Sequence, residues 1–398
     1  MKLLELKYGL SALMAFRTLL EDGVVDAFRT VLTQAVEHPE GEALPAACAA
    51  FEAKLFAVGE NWTEYLLNAV LEEESLAVHR TAQGRMFPAL EQATRRELAL
   101  LQQVSRVTLE QIAAETGADL SVVTPWPVSE EDFGARYDKR MAQMGTKGYG
   151  IFARHHVFTF ENNRLTPVRY PDPQRLSQLP GYEREREKVI ANTKALLAGG
   201  PANNVLLYGD AGTGKSSAIK AIANEFAPQG LRLVEVKKNQ LYQIPELMDE
   251  LAASPLKFIL FIDDLSFTAN DDNFAALKAI LEGSVGGRAK NLAVYATSNR
   301  RHLIKESMSD RIGDDMHASD TRQELMSLSA RFGLTVTFVR PDQDRYLTIV
   351  SELAKQYEVD VDEATLRRKA VAFADRAGGR SPRCAKQFIE MVKAGVPV

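Results

Sequence analysis

Val205-Leu206-Leu207-Tyr208-Gly209-Asp210-Ala211-Gly212-Thr213-Gly214-Lys215-Ser216 is the stretch that decides the fold. Residues 205–208 read as a buried strand, and residues 209–216 match the phosphate-loop pattern G-x-x-x-x-G-K-[ST] in full. From Ser216 to about Phe226 the chain reads as a helix. Strand, glycine-rich turn and helix in that order aim backbone N–H groups at phosphate oxygens, next to the positive end of the helix. The candidate nucleotide contacts are Gly209, Asp210, Ala211, Gly212, Thr213, Gly214, Lys215, Ser216 and Ser217. Lys215 is expected to reach the β- and γ-phosphates and the Ser216 hydroxyl to ligate a metal, so ATP and Mg²⁺ are the expected cofactors.

Working outward, Phe258-Ile259-Leu260-Phe261-Ile262 is an unbroken apolar run ending in Asp263-Asp264. A run of this kind predicts a central strand buried on both faces. Paired carboxylates at its carboxyl end are costly to desolvate unless they act on a ligand, and ligands of open α/β sheets bind there. Asp263 is expected to hold Mg²⁺, through water, and Asp264 to polarise an attacking water. Further strands are predicted at Leu231–Val236, Leu292–Ala296 and Thr335–Phe338, alternating with helices as in a parallel sheet.

The rest of the chain has a different texture. Residues 1–145 read as an all-helical domain for docking or assembly. One helix is expected from Phe87 to Thr116, with Leu90, Leu98, Leu101, Leu109 and Ile112 in an apolar stripe and Leu100, Val104 and Val107 opposite. Residues 146–180 read as a linker punctuated by Pro and Gly. It holds a short hairpin, Val157–Phe160 and Arg164–Val168, around Asn162-Asn163. His155-His156 lacks a third ligand nearby and reads as solvated. Residues 181–340 form the expected α/β core, and residues 341–398 a helical lid.

The Val294-Tyr295-Ala296-Thr297-Ser298-Asn299 strand end resembles the sensor-1 strand of AAA+ ATPases. Gly181-Tyr182-Glu183, the 261–267 segment and Ala296 to Ile304 resemble a bacterial AAA+ family named for a domain of unknown function. That resemblance covers most of the chain and implies an ATP hydrolase. It implies that Asn299 orients the attacking water. Arg331, in Ser327–Leu334, falls where the superfamily places an arginine finger that enters a neighbouring subunit's site, with Arg311 as the alternative. Arg383, opening the last helix after Arg380-Ser381-Pro382, falls at the sensor-2 position. A finger implies a homo-oligomer. The pair Asp263-Asp264 departs from the usual Asp-Glu, and the shorter second carboxylate implies slow or conditional hydrolysis. The stretch Lys237–Pro245 lacks the aromatic-hydrophobic-glycine loop of peptide-threading members, since Gln243 follows Tyr242.

Composition sets the outer bounds. At 398 residues, 45% hydrophobic and 25% charged, the chain is an ordinary globular one with room for two or three domains of roughly 150 residues. A net charge of −5 gives no general attraction to nucleic acid or membranes. Lys237, Lys238, Arg300, Arg301 and Lys305 keep a DNA-associated loader or switch as an alternative, though charge runs are usually solvated faces. Cys48 and Cys384 suggest neither a disulfide nor a zinc site. No stretch reads as a membrane span or a signal peptide, and the expected compartment is the cytoplasm. A third reading is a regulatory scaffold that binds ATP and scarcely turns it over. An unidentified protein partner is expected on the helical N-terminal half.

Overall fold

The computed structural model describes residues 2–266, 273–282, 289–299 and 330–397. The chain divides into two compact units, Met1–Arg154 and His155–Val398.

The first unit is helical. Its main helices are α1 (Leu3–Ser11), α2 (Gly23–Glu37), α3 (Ala43–Phe56), α4 (Trp62–Glu72), α5 (Leu76–Ala82), α6 (Pro88–Val104), α7 (Leu109–Thr116) and α8 (Phe133–Ala142). Phe28, Phe51, Trp62 and Trp126 form an aromatic centre, with the Phe28 and Trp62 ring centroids 4.7 Å apart and those of Phe51 and Trp126 4.9 Å apart. The single helix expected over 87–116 is two. Its apolar residues Leu90, Leu98, Leu101, Leu109 and Ile112 are all buried, as are Val104 and Val107 on the opposite side. The break at 105–108 is held by groups from elsewhere. Trp62 Nε1 donates to the Val104 carbonyl (3.1 Å), Trp126 Nε1 to that of Val107 (3.0 Å) and Thr63 Oγ1 to that of Ser105 (2.8 Å). Carbonyls that an unbroken helix would satisfy internally are satisfied by tertiary contacts. Thr108 then caps α7 by accepting from Gln111 N at 3.2 Å.

The second unit is built on a seven-stranded sheet. Its strands are β1 (Val157–Glu161), β2 (Arg164–Pro167), β3 (Val205–Gly209), β4 (Leu231–Glu235), β5 (Lys257–Ile262), β6 (Leu292–Ser298) and β7 (Leu334–Phe338), in the order β2-β1-β4-β5-β6-β3-β7. All neighbours are parallel except β1 with β2. The five predicted strands stand within two residues of their expected bounds. Every residue of β6 is buried, as continuous apolar runs require of strands covered on both faces.

The hairpin expected in the linker is part of this sheet. Phe158 and Phe160 alternate into the core, and β1 pairs with β4 from Val157↔Leu233 to Thr159↔Glu235. Asn162 (φ 52) and Asn163 (φ 59) both occupy the left-handed region, which a two-residue type I′ turn needs and asparagine tolerates.

Helices α9 (Glu183–Leu197), α10 (Lys215–Phe226), α11 (Ile244–Ala252) and α12 (Asn273–Glu282) alternate with the strands. After β7 come only α13 (Gln343–Gln356), α14 (Glu363–Arg376) and α15 (Pro382–Lys393). Phe388 and Ile389 of α15 join the same core as Tyr346 and Val350 of α13 and the strands. Cys48 and Cys384 are free and buried. Among the described residues, no helix is long and apolar enough to cross a membrane.

Candidate functional site

The loop after β3 is fixed at both ends. Gly209 has φ 132, and a Cβ there would lie 2.1 Å from the Phe338 carbonyl oxygen, so only glycine fits. Asp210 N donates to that same carbonyl at 3.0 Å, and the Asp210 carboxylate accepts from Arg340 N at 2.7 Å. The loop entrance is thereby tied to the end of β7. Thr213 Oγ1 donates back to Asp210 O (2.8 Å), and Gly214 (φ 92) turns the chain into α10. Lys215 is the first residue of that helix and is buried. Its ammonium donates to Gly209 O (2.9 Å), Asp210 O (2.8 Å) and Asn299 Oδ1 (3.0 Å). Burial pulls the Lys215 pKa down, and the carboxylates of Asp210, Asp264 and Asp263 oppose it.

Strand order supplies the next group. β5 and β6 are neighbours with Ile262 opposite Ala296, so Asp263-Asp264 and Thr297-Ser298-Asn299 emerge side by side. Oδ1 of Asp263 accepts from Ser216 Oγ at 2.6 Å and from Thr297 Oγ1 at 2.5 Å. Asp264 sits in the left-handed region (φ 50), and its Oδ1 accepts from Asn299 Nδ2 at 2.7 Å. A chain of contacts thus runs from Lys215 through Asn299 to Asp264.

A cleft of about 530 Å³ opens over these groups. Its floor is Ala211–Ser217, with Asp263, Asp264 and Asn299 along one side and Arg383 along another. The first turn of α15 rests on the loop, with Arg383 N donating to Gly212 O at 3.1 Å. Gly212 (φ 77) permits the approach, since a Cβ there would stand 3.1 Å from Ser381 Oγ. The far wall is the 172–182 segment. Asn224 holds it by donating to the carbonyls of Asp172 (2.7 Å) and Gln174 (2.9 Å), while its Oδ1 lies 2.9 Å from His156 Nε2. The expectation of a solvated His156 is therefore corrected: it orients Asn224. Tyr182 closes the corner, its hydroxyl donating to Val339 O at 2.6 Å and its ring stacking on Phe338.

The cleft gathers Lys215, Ser216, Ser217, Asp263, Asp264, Asn299 and Arg383. Arg331 lies at the end of a helical turn just before β7, half-buried, and does not line its own chain's cleft. Arg300, Arg301, Lys305 and Arg311 lie outside the described residues. Sequence reasoning gave no role to Thr297, Asn224 or Lys386, which also borders the cleft. Thr297 carries no local signal, because its partners come from β5 and only the strand order brings them together.

Ser216 Oγ and the Asp263 carboxylate, close together at the mouth of the glycine-rich loop, are hard oxygen donors of the type Mg²⁺ takes. Among the described residues, no group of three or more His, Cys, Asp or Glu could hold a metal unaided. Mg²⁺ needs none, since it is usually bound by one or two protein oxygens together with substrate phosphates and water.

Among solved structures, the chain is similar to the RuvB Holliday junction branch migration motor of Thermotoga maritima. Identity is 18%, coverage 56% of this chain and 65% of the motor, and the TM-score 0.38. It is also similar to the AAA domain of FIGL-1 in complex with ADP, at 18% identity, 55% and 72% coverage and a TM-score of 0.37. The chain thus spans just under two thirds of the length of the motor it matches. No curated protein sequence matches it. The model of the family "Protein of unknown function (DUF815)" matches residues 153–396, well over half of the chain. The chain belongs to that family.

Proposed function

We propose that residues 155–398 bind ATP with Mg²⁺ and hydrolyse it. The observation that carries this reading is the convergence of Lys215, Ser216, Asp263, Asp264 and Asn299 on one cleft floored by the glycine-rich loop. Lys215 would exchange its carbonyl partners for β- and γ-phosphate oxygens, and Arg383 would meet the phosphates from the lid side. Bound between Ser216 and Asp263, Mg²⁺ would neutralise charge on the β- and γ-phosphates. Asp264 and Asn299 then position the attacking water. Arg331 acts in a neighbouring copy, stabilising charge that develops on the γ-phosphate. The active form is a homo-oligomer in the cytoplasm, and the helical N-terminal domain holds an unidentified protein partner.

ATP turnover measured against protein concentration tests this, alongside Arg331→Ala. The expected result is a per-subunit rate that climbs with concentration and collapses in the variant. A flat rate indifferent to Arg331 contradicts the shared site.

One observation favours a slower, switch-like version. Asp264 is held in a left-handed conformation with Oδ1 drawn onto the Asn299 amide, which restrains how the short carboxylate can turn toward a water. Asp264→Glu tests this by hydrolysis rate: a large increase supports the switch, and brisk wild-type turnover removes it. Nucleic-acid contact gains no such support. Lys237 pairs with Glu161 at 2.6 Å and Lys238 donates to the Ser266 carbonyl, so the described lysines of the basic cluster have partners within the chain.

A further inference from the structure

We propose that Thr297 is the positioning residue of the acidic pair: its hydroxyl aims the Asp263 carboxylate at the metal and holds the Asp264 backbone in its turn. This rests on the nucleotide-site reading above. Thr297 is 2% exposed, on the β6 end beside the β5 end. Its hydroxyl can donate one hydrogen bond and accept others, and the structure uses both capacities. It donates to Asp263 Oδ1 at 2.5 Å, the short length of an O–H on a charged oxygen. It accepts from Asp264 N at 3.0 Å. The Thr297 carbonyl accepts from Leu265 N at 2.7 Å, so a single residue stitches all of 263–265 to β6.

Asp263 shows the consequence. Oδ1 accepts from Thr297 Oγ1 (2.5 Å), Ser216 Oγ (2.6 Å) and Asp264 N (3.1 Å). Three donors on one oxygen fix the rotation of the carboxylate. Oδ2, to which no described residue donates, is left for a metal-bound water. Ser216 would itself become a metal ligand, so Thr297 is the side-chain donor that can hold Asp263 in both states. Asp264 depends on the same hydroxyl. Without it, the N–H of a residue at φ 50 keeps only the longer contact to Asp263 Oδ1. The ordinary alternative is a threonine suited to a buried strand by its β-branch, with a hydroxyl that merely finds a partner. That role would change stability and leave the metal dependence alone.

The test uses the full chain and equilibrium binding of a fluorescent ATP analogue, with Mg²⁺ titrated upward from a chelated baseline and no turnover required. Thr297→Val keeps the shape and removes the hydroxyl, whereas Thr297→Ser keeps the hydroxyl. The expected result is a Mg²⁺ midpoint raised roughly tenfold in Thr297→Val, with Thr297→Ser within about threefold of wild type. Should Thr297→Val fail to fold, Thr297→Ala against Thr297→Ser makes the same comparison. A Mg²⁺-dependent wild type with an unshifted Val or Ala variant overturns this inference alone, as does a Ser variant shifted equally far. A wild type that binds no nucleotide overturns the site reading and this inference together.

Discussion

The helical unit and the sheet unit use polar groups in opposite ways. In residues 2–154, buried polar groups serve the fold: the Trp62 and Trp126 indoles and the Thr63 hydroxyl cap the break between α6 and α7. In residues 155–397, Lys215 donates to Asn299 and Ser216 to Asp263 around a cleft where a ligand could exchange for those partners. Polar groups that point at each other across an open cleft are a site, whereas polar groups that close a gap in a core are structure. Substitutions in the two units should therefore fail differently.

The largest contrast is expected at Asp263. Asp263→Asn should lower ATP turnover by about 10²–10³-fold through lost stabilisation of developing charge, with the helical signal in circular dichroism unchanged. A comparable loss of fold would place Asp263 with the structural polar groups instead. On the other side, Trp62→Ala should lower the unfolding free energy of the first unit by about 3–5 kcal/mol in denaturant titration, leaving nucleotide affinity unchanged. A variant as stable as wild type would mean the aromatic centre is not the core of that unit. Arg383→Ala should weaken ATP binding about tenfold, read by fluorescence titration, because a charge-assisted contact from the lid is lost. The smallest effect is expected from Thr108→Ala, about 1 kcal/mol of stability for one lost helix cap, with no change in nucleotide binding.

The sheet unit was the more legible in sequence because its signals are local. A phosphate loop is contiguous, and so is an apolar run ending in Asp263-Asp264. Each predicts its own strand without knowledge of the neighbours. What stayed hidden was set by strand order. Thr297 meets Asp263 only because β6 lies beside β5, and β1 joins the sheet only because β4 offers it an edge. The division of the 87–116 helix was hidden for a similar reason, since two indoles far along the chain stabilise the break. Even there a local clue existed: Thr108 and Gln111 have the spacing of a capping box. Arg331 is a different case, because the finger role proposed for it lies in a neighbouring copy and cannot be judged from the cleft of its own chain.

The central claim is that the cleft over Lys215 is an ATP site, and equilibrium binding of ATP with Mg²⁺ to wild type and to Lys215→Ala tests it most directly. The account predicts saturable binding by wild type, strengthened by Mg²⁺ and weakened at least about a hundredfold in the variant. Wild-type affinity retained by Lys215→Ala, with the fold intact, would contradict it.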